Sequence, residues 1–221
     1  MSKFLIQWRK PTGRPGRVLA WLMNVSHSKG TDWGLRHIRL EKNATILDVG
    51  CGGGGFIHRL AGIATNGKVY GIDYSEECVA VSRRTNQRWM RMGRVEILNG
   101  SVSSLPFPDR MFDIVTAVNS HYYWPDLVND MREVLRVLKP GGSLAFIGES
   151  YKGGKYDKRD RSFVKAVDLA NYSPDELGDL LTKAGYSDVQ MFTDYEKGWI
   201  CSIGVKPLGS SGPGKDQAVD E

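Results

Sequence analysis

The chain of 221 residues has few cysteines and no long apolar run, and each shortage excludes a class of protein. Its three cysteines, Cys51, Cys78 and Cys201, are odd in number and widely spaced, which fits neither a disulfide framework nor a paired zinc motif. We therefore expect free thiols in a reducing, cytoplasmic compartment and no metal site. No run of about 18 apolar residues occurs, so neither a membrane span nor a membrane partner is predicted.

Acidic residues are absent before Asp32, although the chain as a whole carries a formal net charge of only +5. The basic residues of that first segment are Lys3, Arg9, Lys10, Arg14, Arg17 and Lys29. Such an arm favours contact with nucleic acid or an anionic substrate, or it is simply a solvated lead-in. Elsewhere the composition, 41% hydrophobic and 25% charged, is that of a globular protein.

The length fits one domain, since domains usually hold about 100 to 200 residues. We expect a single domain over residues 1–206, of which 1–43 form a helical lead-in. Two short helices are predicted there, over 17–25 and 33–40, and they either cover a sheet edge or act as a lid over the strand ends. Residues 207–221 are rich in glycine, serine and proline and are expected to be a disordered tail.

From residue 44 onward, short β-rich runs alternate with segments of helical period, which predicts parallel strands joined by crossover helices. The predicted strands are 45–49, 68–73, 94–98, 112–118, 143–148, 188–193 and 199–205. A short polar turn containing Gly198 joins the last two, so these must be antiparallel.

Two of the crossover helices have specific signals. One is predicted from an apolar face formed by Leu127, Met131, Val134, Leu135 and Leu138. In the stretch that follows, Lys139 suits a helix C-terminus, Pro140 stops the helix and two glycines turn the chain.

The other helix begins at a capping box, with Ser173 as N-cap, Pro174 at the first position and Glu176 as the reciprocal acceptor. Gly185 is its expected C-terminal glycine.

The strongest local signal is ATILDVGCGGGGF at residues 44–56, a strand that runs into a glycine loop and a helix. The loop matches both GxGxxG and DxGxGxG, so a nicotinamide enzyme has to be considered. Asp73 ends the second predicted strand, where a carboxylate accepts hydrogen bonds from the hydroxyls of a ribose. Alternatively, Asp73 and Ser75 simply begin the next helix. By themselves the loop and the acid indicate a nucleoside cofactor without identifying it.

Five segments, taken in order, resemble the class I S-adenosylmethionine-dependent methyltransferases, in particular the type 11-like members. They are ILDVGCGGG (46–54), VYGIDYS (69–75), GSVSSLPFPDRMFDIV (100–115), MREVLRVLKPGG (131–142) and YSPDELGDLLTKAGYSDV (172–189). The resemblance implies an α/β fold with a doubly wound, mostly parallel seven-stranded sheet whose last strand is antiparallel. It implies S-adenosylmethionine as cofactor and S-adenosylhomocysteine as product.

The resemblance also implies cofactor-binding positions in this sequence. The methionine side of the cofactor would be cradled by Asp48, Gly50, Gly52 and Gly54. Asp73 would hold the ribose, Ser101 and Val102 would lie at the adenine, and Asn119 would line the methyl end. Relatives often have an acidic residue at the position of Ser101, so the contact to the adenine amino group is the one that departs from the pattern.

His121 is the candidate catalytic residue, because it lies in NSHYYWPD (119–126) just after the fourth predicted strand and histidine titrates near neutrality. The alternative is that His121 simply packs beside Tyr122, Tyr123 and Trp124. These aromatic residues in turn either form the wall of an acceptor pocket or pack under the loop. A base is optional for transfer from a sulfonium, because alignment supplies much of the acceleration.

A small-molecule acceptor is favoured, since no nucleic-acid-binding module is evident. RNA or a protein acceptor, and a non-catalytic S-adenosylmethionine-binding protein, are the alternatives. The sequence does not specify an oligomeric state.

Overall fold

The computed structural model describes residues 12, 13, 16, 17, 28–166 and 169–209. Most of the helix predicted at 17–25, and most of the predicted tail, lie outside these residues. The helices are α1 (Ser28–Leu35), α2 (Gly55–Ile63), α3 (Glu76–Thr85), α4 (Gln87–Arg91), α5 (Leu127–Val137), α6 (Asp157–Ala166) and α7 (Pro174–Ala184). The strands are β1 (Thr45–Val49), β2 (Lys68–Asp73), β3 (Val95–Asn99), β4 (Phe112–Val118), β5 (Leu138–Gly148), β6 (Ser187–Asp194) and β7 (Trp199–Val205).

The seven strands form one sheet in the order β3-β2-β1-β4-β5-β7-β6. Strands β1 to β5 pair in parallel, whereas β7 is antiparallel to both β5 and β6. The predicted fold class, with its antiparallel last strand, is therefore confirmed. The strand order reverses between β1 and β4, and in open α/β sheets ligands bind at the carboxyl ends of the strands at such a point.

The central strands are buried on both faces, because the crossover helices cover the two sides of a parallel sheet. Leu47 and Val115 belong to the apolar cluster on one face, together with Met131 and Val134 of α5. The other face holds a separate cluster that contains Ile46 and the α2 residue Ile57. Neighbouring residues of β1 thus point to opposite cores, which explains why this strand is an almost continuous apolar run.

The capping box of α7 is present as predicted. Ser173 Oγ accepts a hydrogen bond from the Glu176 backbone N–H at 3.2 Å, and Glu176 Oε2 accepts one from the Ser173 N–H at 2.9 Å. Gly185 ends the helix with a φ of 107°, a left-handed conformation that glycine adopts without strain.

The helix predicted at 33–40 is displaced, because α1 ends at Leu35. The next three residues form tighter turns, in which the N–H groups of Arg36, His37 and Ile38 bond to carbonyls three residues earlier. The described helix packs on the sheet at β5 and β7, and its first turn reaches the carboxyl end of β5, where a Cβ at Gly30 would lie 2.5 Å from Glu149 Oε1. A Cβ at Gly34 would lie 2.7 Å from the Ile147 side chain, and Trp33 contacts the ring of Trp199 at a centroid distance of 5.9 Å.

The interpretation of Lys139 as a helix-terminal cation was wrong. Helix α5 ends at Val137, and β5 begins at Leu138, five residues before the predicted strand. Lys139 Nζ instead pairs with Asp113 Oδ1 at 2.7 Å. The β4–β5 register shifts between Phe112 and Ile114, so the intervening residues of β5 form an irregular bulge that the sequence does not reveal.

A different lysine stabilises the end of α5. Lys206, just after β7, is 6% exposed, and its Nζ donates to the carbonyls of Leu135 at 2.7 Å and Leu138 at 2.8 Å. A cation there satisfies carbonyls that have no partner within the helix and complements the negative end of the helix dipole.

We therefore expect Lys206→Met to destabilise the protein by about 1–2 kcal/mol, because the carbonyls lose their charged donor while the aliphatic packing is retained. Urea unfolding at neutral pH measures this change. Lys139→Met is the matched control and should cost less, because its ion pair with Asp113 is partly exposed. Equal losses for both variants would contradict the assignment.

Candidate functional site

A cleft of about 370 Å³ opens where the strand order reverses, at the carboxyl edge of the sheet. Residues that follow β1, β2, β3 and β4 line it, among them Gly50, Asp73, Val102 and Trp124. Its walls are mainly apolar with a few polar groups, which is typical of small-molecule sites.

The glycine loop after β1 forms one wall of the cleft. The Gly50 and Cys51 N–H groups donate to the Ile72 carbonyl at 2.8 and 3.1 Å, which holds the loop against the end of β2. Gly50 has a φ of 72°, and a Cβ there would lie 2.4 Å from Ser120 Cβ. Gly52 has a φ of 51°, and a Cβ there would meet no atom within 4 Å. Glycine is therefore required at Gly50 by close packing and at both positions by backbone conformation.

Gly54 shapes the loop from behind. It is the N-cap of α2, and a Cβ there would lie 2.3 Å from Ser82 Oγ and 2.5 Å from Asn86 Nδ2. Asn86 is fully buried, and its Nδ2 donates to the Gly54 carbonyl at 2.9 Å. Gly54 thus contacts the α3–α4 junction and does not line the cleft. The sequence analysis missed Asn86, since an asparagine at a helix end usually caps or is exposed.

Asp73 joins the tips of three elements. Its Oδ2 accepts the Gly52 N–H and its Oδ1 accepts the Ser75 N–H, both at 2.9 Å. Burial raises the pKa of Asp73, and these two hydrogen bonds oppose that rise. Asp73 therefore helps to begin α3, as expected if Asp73 and Ser75 start that helix. It also lines the cleft, which is the position that binding a ribose requires.

Asp48 lies under the loop, 2% exposed, and accepts a hydrogen bond from Thr116 Oγ1 at 2.8 Å. The pKa of Asp48 is raised to about 7, chiefly by burial; the hydrogen bond from Thr116 opposes this rise, and the nearby Asp73 carboxylate adds to it. Two buried acids that repel each other favour a cationic ligand nearby, because a positive charge stabilises both ionised forms.

Ser101 and Val102 both line the cleft, as expected from the sequence. Ser101 Oγ accepts the Ser103 N–H at 3.2 Å, so its hydroxyl is used within the turn. The Val102 N–H finds no acceptor among the described residues and is available to a ligand.

Asn119 lies behind the lining, at the ends of β4 and β5. It has a φ of 50°, and its Oδ1 accepts the Glu149 N–H at 3.0 Å. Its Nδ2 is buried and has no partner among the described residues. The adjacent Ser120 does line the cleft and donates to the Val49 carbonyl at 2.6 Å. Sequence analysis missed Ser120, although its position directly after a central strand was a usable signal.

His121 is packed into the core next to the cleft. It is 2% exposed, and its ring stacks on Phe146 at a centroid distance of 4.7 Å. Burial lowers the pKa of His121 to about 3, so the ring is neutral at physiological pH and a weak base. This geometry matches the packing alternative, and the catalytic role stays a prediction.

The aromatic residues after β4 divide into two groups. Tyr123 and Trp124 line the cleft together with Pro125. Tyr122 instead donates its hydroxyl hydrogen to the Ser150 carbonyl at 2.7 Å, which ties the segment to the end of β5. Only the first group lines the cleft.

The observed groups fit an adenosyl cofactor. A buried carboxylate, a loop with glycine backbone conformations and an available N–H surround one apolar cleft. Neither a cluster of three metal-binding side chains nor a helix long and apolar enough to cross a bilayer is found in the described part of the chain.

Comparisons with known proteins agree with this geometry. The family described as "Methyltransferase domain" matches residues 47–146. A demethylmenaquinone methyltransferase of Listeria welshimeri is 36% identical over 138 residues, which are 62% of this chain and 57% of that protein. The chain thus matches little more than half the length of this relative.

Solved structures share the fold. One is a SAM-dependent methyltransferase from Aquifex aeolicus, with a TM-score of 0.70, 22% identity and coverage of 86% of this chain and 98% of that one. Another is the [4+2]-cyclase SpnF, with a TM-score of 0.65, 24% identity and coverage of 81% and 80%. At these identities the likeness shows the architecture only.

The raised pKa of Asp48 predicts an effect of pH on stability. A carboxyl whose pKa is higher in the folded than in the unfolded state stabilises the protein below the unfolded value of 3.8, and this contribution is lost as the pH rises to about 7. We expect Asp48→Asn to remove a fall of up to about 1.4 kcal/mol per pH unit across that window. Urea unfolding between these pH values measures the slope, and an unchanged slope would show that Asp48 ionises normally.

Proposed function

We propose that this chain is a class I S-adenosylmethionine-dependent methyltransferase, because its residues 47–146 match the family described as "Methyltransferase domain", and that it transfers a methyl group from S-adenosylmethionine to a small-molecule acceptor. S-adenosylhomocysteine would be the product. The observation that carries the proposal is the placement of Asp73 in the cleft wall, bonded to the glycine loop through Gly52.

When bound, the cofactor supplies a sulfonium methyl group for an in-line displacement. The protein's part is to bind and orient it. We assign the ribose hydroxyls to Asp73 and the adenine edge to the Val102 N–H and the Ser101 turn. The methionine end is assigned to the glycine loop, with Asp48 contributing negative charge from beneath. The buried, unpartnered Asn119 Nδ2 is assigned to the methyl end of the site.

The described cleft lining offers little acid or base chemistry. Its ionisable side chains are Asp73, Tyr74 and Tyr123, and the first is assigned to the ribose. Exclusion of water and alignment of the acceptor therefore carry most of the catalysis, which can amount to about 7–11 kcal/mol in favourable systems. An acceptor that is itself a good nucleophile fits such a site.

The acceptor would lie against Tyr123, Trp124 and Pro125. These flat apolar side chains suit an aromatic or quinone-like ring. One relative is named demethylmenaquinone methyltransferase. Demethylmenaquinone, supplied in its reduced form, is therefore the first acceptor to test.

One experiment distinguishes the proposed function from two alternatives. The acceptor could be RNA or a protein side chain, or the chain could bind the cofactor without transferring its methyl group. The [4+2]-cyclase with this architecture illustrates that the fold alone does not decide the reaction. Incubation with methyl-labelled cofactor and reduced demethylmenaquinone, other phenols, thiols, amines or RNA separates the three, since a binding protein would label none.

We predict that Asp73→Ala weakens S-adenosylmethionine binding by more than about tenfold, because the ribose hydroxyls lose their acceptor. Isothermal titration calorimetry measures this affinity. Asp179→Ala, which removes an exposed carboxylate on α7, is the control and should bind normally. An unchanged affinity for Asp73→Ala would refute the ribose assignment.

We predict that His121→Gln lowers turnover more than it lowers cofactor affinity, because the ring packs on Tyr122 and Phe146 and so supports the segment whose next residues line the acceptor side of the cleft. Because the pKa of His121 is about 3, the wild-type rate should show no inflection from this residue near its ordinary value of 6.5. His58→Gln, an exposed histidine on α2, is the control. Equal losses of turnover and affinity in His121→Gln would assign it to packing.

A further inference from the structure

A stretch of the chain far from the cleft carries an unusual excess of positive charge. No acidic residue occurs between Glu77 and Glu96. Five arginines lie in that interval: Arg83, Arg84, Arg88, Arg91 and Arg94. We call them the α3–α4 arginine surface. The nearby acid Glu96 does not neutralise it, since Glu96 Oε2 pairs with Lys68 Nζ at 2.9 Å.

Two of these arginines are held by backbone carbonyls. Arg83 donates to the Ile97 carbonyl at 3.1 and 2.8 Å, and Arg94 donates to the Ala61 carbonyl at 2.8 Å near the end of α2. Because backbone carbonyls carry no net charge, these hydrogen bonds do not neutralise the positive charges of Arg83 and Arg94. These residues therefore form a fixed cationic base for the surface.

The other three, Arg84, Arg88 and Arg91, are exposed, and their guanidinium groups have neither a hydrogen bond nor an ion pair among the described residues. Asn86 alone separates α3 from α4; its N–H donates to the Ser82 carbonyl of α3, and its carbonyl accepts the Met90 N–H of α4. Only seven residues separate Arg84 from Arg91, about 10 Å of helix length, so the three charges lie close together at the end of α3 and on α4.

The topology separates this surface from the cleft. Helix α3 starts after the carboxyl end of β2 and runs back toward the opposite edge, where α4 leads into the start of β3. Arg94 bonds to carbonyls at the end of α2, at that same edge. The cofactor site does not account for these charges.

We propose that the α3–α4 arginine surface binds the phosphodiester backbone of a single nucleic-acid strand. Guanidinium groups bind phosphate oxygens in a bidentate manner. Trp89, half-buried between the arginines, has the guanidinium groups of Arg94 and Arg88 5.2 and 5.9 Å from its ring centroid and donates its Nε1–H to His58 Nδ1 at 3.2 Å. Its ring therefore helps to position two of the cationic groups. The proposal does not depend on which acceptor the cleft methylates.

A lipid surface fits less well. Helices that lie on membranes need a broad apolar face, whereas Trp89 and Met90 pack against the core cluster. Met92, 55% exposed, is the large apolar side chain that this stretch presents to solvent. The α3–α4 arginine surface therefore presents positive charge to a partner, but it has no apolar face that could insert into a lipid bilayer.

The test is the salt dependence of binding to a fluorescein-labelled single-stranded oligouridylate, followed by fluorescence anisotropy. Each phosphate contact to a single strand contributes a slope of about −0.7 in log K against log salt. The triple variant Arg84→Gln, Arg88→Gln, Arg91→Gln should lose at least tenfold in affinity, and its slope should be smaller by about 2.

A matched control removes the same charge elsewhere. Lys158→Gln, Lys165→Gln, Lys183→Gln changes three exposed lysines of α6 and α7 and should retain near wild-type binding. Calorimetry with S-adenosylmethionine checks that both variants are folded. Equal losses in the two triple variants would assign binding to net charge and overturn the proposal. So would undiminished binding by the arginine variant, or wild-type binding to phosphatidylglycerol vesicles but not to the oligonucleotide.

Discussion

The two hydrogen bonds accepted by the Asp73 carboxylate connect three elements of the candidate site. One carboxylate oxygen holds the Gly52 N–H of the glycine loop and the other holds the Ser75 N–H that begins α3. A buried carboxylate without such donors would be costly. The same hydrogen bonds that offset the cost of burying the Asp73 carboxylate therefore fix the loop, the end of β2 and the start of α3 relative to one another.

This junction lies where the strand order reverses, and the fold explains why. Helices after β1 and β4 leave the sheet toward opposite faces, so their first turns diverge and open a cleft. The apolar strands beneath are buried on both sides and provide a rigid base. Asn86 then holds the loop from behind through the Gly54 carbonyl, and Thr116 bonds to Asp48 in the strand beneath it, through contacts that no ligand has to provide.

The two edges of the sheet carry different charge. Buried carboxyl groups with raised pKa values lie at the cleft edge, where a cation is favoured. Exposed arginines without acidic partners among the described residues lie at the far end of α3 and on α4. The net charge of +5 is thus the sum of unlike regions, and it says little about either one.

Local patterns in the sequence determined the strands, the capping box of α7, the glycine loop and the position of Asp73, because each depends on residues close together in the chain. Tertiary structure decided the rest. The sequence predicts His121 as a candidate base, but in the structure its ring packs on Phe146 of β5. The sequence also predicts that Lys139 stabilises the C-terminus of α5, but Lys206 bonds to the carbonyls there. Asn86 gave no sequence signal, since its partner Gly54 lies 32 residues earlier. Burial and long-range contacts set the pKa and partner of a side chain, and only folding brings those partners together.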